Sequence, residues 1–174
     1  MNRVRASFFT LLLLSALTFC SVPQTRGDEA LAVVVNKSNP VESMTLDELR
    51  KYCVQERKHW ADDKRVTVVL REPGQVERET VLQVIYRMSE GDFKRYFLQA
   101  EFTGEVQAAP KHLYSAIGVR RFIFNVPGAI GFVRASDVDA TVKVLRLDGF
   151  ALNDPHYPLH AISFDNGHSK TFKR

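Results

Sequence analysis

Apolar positions along the chain fall into two kinds of pattern, and the switch between them marks its organising stretch. Leu31–Asn36 (LAVVVN) and the run holding Val66, Val68, Val69 and Leu70 are short, β-branched and bounded by polar turns, as strands buried on both faces are. Past Arg71 and a Pro73–Gly74 turn the spacing becomes helical, with Val81, Val84, Ile85 and Met88 on one face. Residues 66–88 therefore predict strand, tight turn and helix. Thr45-Leu46-Asp47-Glu48 is a capping box opening a helix with Leu46, Leu49 and Cys53 inward, and Trp60 anchors the polar loop that follows. Phe93, Tyr96, Phe97 and Ala100, at i, i+3, i+4 and i+7, predict a helix held by an aromatic stripe. A further helix is expected from Lys111 to Asn125, carrying Leu113, Ala116, Ile117 and Phe124, until Val126-Pro127-Gly128 stops it. Ala129–Val133 and Val142–Leu147 read as two more strands. Strands alternating with helices give an α/β layer fold.

The N-terminus has a different logic. Arg3 and Arg5 precede the apolar run Phe8–Phe19, which has the length of a secretory h-region and is short for a membrane span. Residues 1–27 are read as a signal peptide, cut after Cys20 or after Gly27, which places the product in the periplasm. A lipid anchor on Cys20 is disfavoured by the bulky Phe19. Removing 1–27 takes away Arg3, Arg5 and Arg26 and no acids, so the balance falls from 24 − 20 = +4 to 21 − 20 = +1. No charge argument for nucleic acid survives. Cys53 is then the single cysteine and is read as a small core residue.

Catalytic patterns are missing. The sequence has no Walker loop, no Gly-x-Ser-x-Gly, no His-Glu-x-x-His and no Cys-x-x-Cys. His156 and His160 are separated by Pro158, which argues against one helical face and a metal site, and Asp62-Asp63 lies in a polar loop. The expectation is a protein that is not an enzyme and uses no cofactor or metal. The turn after the Val66 strand is the candidate site: Arg71 offers a forked guanidinium, and Gly74, Gln75 and Val76 lead backbone N–H groups into a helix start, an arrangement that attracts anions. The alternative is that Arg71 pairs with Glu72, Glu77 or Glu79.

Four segments in order, 32–60, 66–82, VPGAIGFV at 126–133 and DGFALNDPHYPL at 148–159, resemble periplasmic phosphate-binding proteins of the type 2 solute-binding class. The resemblance implies a single lobe of a type 2 periplasmic-binding-protein fold, a mixed sheet flanked by helices, over 28–150; Pro155, Pro158, Gly167 and several polar residues make 151–174 an irregular C-terminal extension. It implies phosphate or another small anion as ligand, near Arg71, Gly74, Gln75 and Val76, and an ABC transporter as destination. The family's Ser-Gly-Thr positions hold Gln75, Val76 and Glu77, which removes two hydroxyl donors and adds a carboxylate. The alternative function is therefore a module on the same fold that no longer binds solute and docks on another envelope protein.

Overall fold

A strand of five consecutive apolar residues persists in water only with both faces covered, and that requirement shapes the molecule. The computed structural model describes residues 29–162; the leader expected over 1–27, Cys20 included, and the residues after 162 lie outside them. In chain order the elements are β1 (Leu31–Val35), β2 (Ser43–Met44), α1 (Leu46–Cys53), β3 (Thr67–Arg71), α2 (Val76–Val81), α3 (Glu90–Phe102), β4 (Lys111–Leu113), α4 (Ala116–Asn125), β5 (Ala129–Arg134), β6 (Lys143–Val144) and β7 (Arg146–Leu147). The main sheet has the order β4-β3-β5-β1-β6. In it β3 runs parallel to β4 and β5, while β1 runs antiparallel to β5 and β6. Strands β2 and β7 pair separately, in parallel.

Alternation along the strands builds two cores. Leu31, Val33, Val35, Val68, Leu70, Ile130 and Phe132 face α1, α2 and α3 on one side, while Ala32, Val34, Val69, Ala129 and Val133 face α4 on the other. The mixed sheet flanked by helices is the architecture the sequence predicts. Two glycines of the Pro-Gly-Ala-Ile-Gly-Phe segment allow the close approach. A Cβ at Gly128 would land on the Arg65 carbonyl oxygen, and one at Gly131 would come within 2.9 Å of Ile123 Cδ1 and 3.0 Å of Val119 Cγ1. This segment, part of the family resemblance, is thus a packing device, with the Gly128 carbonyl also accepting the buried Trp60 indole N–H at 3.0 Å.

Local chemistry sets the ends of the elements. In the capping box the Glu48 N–H donates to Thr45 Oγ1 at 3.1 Å and the Thr45 N–H to Glu48 Oε2 at 2.9 Å. Helix α2 passes into one π-helical turn, Leu82–Tyr86, which ends at Arg87 in the left-handed region, φ 57. Buried positions there come as Val81, Leu82, Ile85 and Tyr86, and the expected Val84 and Met88 are only half-buried. The helix expected over 111–125 is corrected: Lys111–Leu113 is an edge strand beside β3, and the helix starts after Ser115, whose Oγ accepts the Gly118 N–H at 3.0 Å. Its inward stripe is Ala116, Val119 and Ile123, leaving Ile117 and Phe124 outside. The expected strand Val142–Leu147 is two short ones that pair in different sheets.

The irregular stretch from Ala151 is fastened to the sheet. The Leu31 N–H donates to the Leu159 carbonyl at 2.9 Å, the Ala161 N–H donates to the Glu29 carbonyl at 2.8 Å, and Tyr157 and Leu159 lie in the larger core.

Candidate functional site

Parallel neighbours in an α/β sheet bring their carboxyl ends together, and the crevice beyond such ends is where this fold class can hold ligands. Strands β3 and β5 are such neighbours, and each ends in an arginine, Arg71 and Arg134. Between them, the first turn of α2 and the start of α4 lies an open cleft of about 440 Å³ lined by Arg71, Gln75, Glu77, Tyr114, Ser115 and Arg134, among others. The turn from β3 into α2 is built as the dipeptide predicts. The Gln75 N–H returns to the Glu72 carbonyl at 3.3 Å, and Gly74 sits at φ +83, the region a type II turn requires at its third position.

At the back of the cleft, a carboxylate of the chain itself lies between the two arginines. Glu77 Oε1 accepts from Arg134 Nε at 2.9 Å and lies 3.5 Å from Arg71 Nη1, with only 4% of the Glu77 side chain exposed. Gln75 stands at the N-cap position of α2 without capping it; its side-chain oxygen accepts from Arg71 Nη2 at 3.1 Å. Gly74 and Val76 serve as turn and first helical residue. Of the four residues expected near an anion, then, Arg71 meets both Gln75 and Glu77. The anion reading and the pairing reading of Arg71 converge on one spot, and Glu77 is the pairing partner.

Arg134 and Glu29 complete the corner. Arg134 Nη1 lies 3.5 Å from Glu29 Oε2, and Glu29 Oε1 accepts the Ser136 N–H at 3.0 Å. The hydrogen bond to Glu77 holds the Arg134 guanidinium above its ordinary value despite partial burial. Burial opposes ionisation of Glu29, but Ser136 and Arg134 together pull its carboxyl below the usual value. Two guanidinium groups thus meet two carboxylates, and Asp137 on the lining adds a third. An incoming anion finds no uncompensated positive charge. Arg71 Nε and Glu77 Oε2 are buried without a hydrogen-bond partner, so the fit is incomplete.

Elsewhere the chemistry is closed. The Cys53 thiol is buried, and burial pushes it up to about 12, far from a reactive thiolate. Among the described residues no group of three His, Cys, Asp or Glu side chains could hold a metal ion, and no helix is long and apolar enough to cross a membrane. Asp62 accepts from Lys64 Nζ at 2.5 Å in its loop. Sequence patterns alone do not single out Arg134 or Glu29. The available signal for Arg134 is its position directly after Gly131-Phe132-Val133; Glu29 has none.

No protein-family model matches the sequence. Among solved structures, the chain is similar to a protein assigned as a phosphate ABC transporter substrate-binding protein, with bound phosphate, from Clostridium perfringens. That match has a TM-score of 0.63 and 18% identity over 78% of this chain and 54% of the other. An ABC-type phosphate transport receptor from Vibrio cholerae matches with a TM-score of 0.58 and 20% identity, over 72% of this chain and 49% of that one. PstS from Borrelia burgdorferi matches with a TM-score of 0.59 and 13% identity, over 78% and 56%. The chain spans about half the length of these structures. At such identities the likeness concerns the fold, which is that of the phosphate-binding-protein type.

Proposed function

We propose that this protein is an exported, non-enzymatic, solute-binding-like protein of the phosphate-binding type, whose anion corner is occupied by its own Glu77 and which therefore acts by docking more than by carrying phosphate. The observation that carries the reading is the Glu77 carboxylate lying between Arg71 and Arg134. An anion entering the corner must displace or oppose that carboxylate. At about 6 Å and an effective dielectric near 20 the opposition amounts to roughly 3 kcal/mol, or about two powers of ten in affinity. The cleft is open, so hydrogen bonds to a guest compete with water and contribute near the low end of their range.

Calorimetry with inorganic phosphate tests this. A dissociation constant in the millimolar range or weaker, about −4 kcal/mol, is expected. Micromolar binding insensitive to Arg71→Ala would overturn it. Export is tested separately: the intact mass from an envelope extract should begin between Ser21 and Asp28, and an acyl mass on Cys20 or a retained leader would be the contrary result.

A further inference from the structure

We infer that the outer face of α4 is a docking surface for an acidic, amphipathic segment of a partner protein. This rests on the docking reading above and adds to it the surface and the chemistry of what sits there. The inward stripe of α4 accounts for Ala116, Val119 and Ile123, yet the helix also carries large apolar side chains outward: Ile117 is 61% exposed and Phe124 is 56% exposed. Tyr114, just before the helix, is 78% exposed on the same approach and lines the anion corner, as Ile117 does. Ile117 and Phe124 are seven residues apart, so they lie on one side, with Arg121 between them at i+4.

Ile117 and Phe124 also border a groove of about 260 Å³ whose other walls are Arg120, Arg121, Asp139 and Thr141. That volume suits one large apolar side chain. The polar walls carry two arginines and one aspartate, so the groove is cationic. Arg120 is already paired, its Nε 3.0 Å from Asp139. Arg121 is exposed and has no carboxylate within salt-bridge distance among the described residues. Lys37 adds positive charge nearby: the Asp139 carboxyl, held low chiefly by its hydrogen bonds to Thr141, also feels Arg120 and Lys37. An apolar strip beside unpaired cations complements a segment that alternates large apolar residues with Asp or Glu.

A second copy of this chain fits less well. Two α4 helices packed about a two-fold, Ile117 against Phe124 of the mate, put position 120–121 at the axis. Each Arg121 would then face its own copy while the carboxylate in the groove wall, Asp139, is already held by Arg120, a like-charge contact that disfavours the pairing.

The probes are two synthetic 16-residue helix-forming peptides with identical Leu and Phe positions, one flanked by glutamates and one by lysines. They are titrated into the purified protein by fluorescence anisotropy. The glutamate peptide should bind at least tenfold tighter than the lysine peptide, Phe124→Ser should weaken it at least tenfold, and Arg121→Glu should reverse the order. Phe124 and Arg121 are exposed, so unchanged melting temperatures for both variants separate lost binding from lost folding. Phosphate calorimetry on Phe124→Ser should match the parent protein, which keeps failure of this surface apart from failure of the corner reading. Equal affinity for the two peptides, no binding up to 1 mM, or affinities untouched by both substitutions would overturn the inference. So would a dimer in sedimentation that Phe124→Ser dissociates, because a second copy would then own the surface.

Discussion

Arg71 and Arg78 stand seven residues apart on one stretch, and each meets a glutamate, but the two meetings differ in completeness. Arg78 uses its whole fork: Nε and Nη2 reach the two oxygens of Glu90 at 2.8 and 3.1 Å, and Nη1 donates to the Arg71 carbonyl at 3.1 Å. Its guanidinium also lies over the Phe93 ring, 4.9 Å from the centroid, and its side chain is fully buried. Arg71 reaches Glu77 only at 3.5 Å, shares it with Arg134, and leaves its Nε and the Glu77 Oε2 unmatched. A desolvated ion pair stabilises only when its geometry answers every donor and acceptor. The Arg78 pair meets that condition and clasps α3 to the β3–α2 turn. The Arg71 corner does not, which is why it, and not the Arg78 pair, is the one proposed above as an anion corner closed by Glu77.

The sharpest break of this comparison is removal of each arginine. Arg78→Ala should cost about 3 kcal/mol, because it opens a cavity where a fully buried side chain stood, strips the Arg71 carbonyl of a donor and leaves Glu90 with only the surface Lys94 as partner. Arg71→Ala should cost less, about 1–2 kcal/mol, since Arg134 still holds Glu77 and no buried charge is left alone. Urea unfolding followed by Trp60 fluorescence and far-UV circular dichroism measures both. The two probes should coincide in each protein, and equal losses would erase the distinction between clasp and corner.

Next in size is the corner's latent affinity. Replacing Gln75, Val76 and Glu77 by Ser, Gly and Thr should tighten phosphate ten- to a hundredfold, about 1.4–2.8 kcal/mol. Adding Arg71→Ala should remove the gain. If the triple change leaves phosphate affinity where it was, Glu77 is not what excludes the anion.

The smallest effect is in acid. Burial opposes ionisation of Glu90, but the hydrogen bonds and charge of Arg78 hold its carboxyl below the ordinary 4.5. A carboxyl lowered on folding stabilises above its unfolded value and loses that contribution as pH falls through the folded one. The stability gap between the parent protein and Arg78→Ala should therefore narrow below about pH 4.5. A gap that stays constant down to pH 3 would mean the pair contributes packing alone.

Most of the framework is legible in the sequence because it is local. The β-branched run at Leu31, the Thr45–Glu48 box, the Pro73–Gly74 turn and the Phe93–Phe97 stripe each state their structure within a few residues. Lys111–Leu113 is not legible, because a three-residue strand is defined by its parallel partner β3, far away in sequence. Counting a helix from Lys111 turns its face, so Ile117 and Phe124 are placed inward where Val119 and Ile123 belong. The corner is half legible for the same reason. Arg71 and Glu77 share a turn, whereas Arg134 comes from a strand 57 residues beyond Glu77.

The bond between Ala161 and Glu29 has a topological consequence. The two ends of the described chain leave the sheet side by side, so a few residues could bridge them at small loop-closure cost. New termini could then be opened in the exposed turn near Asp139, and the circularly permuted chain would keep every strand pairing. The same adjacency would let this unit be spliced whole into a surface loop of a host protein, with its clasp and its corner carried along intact.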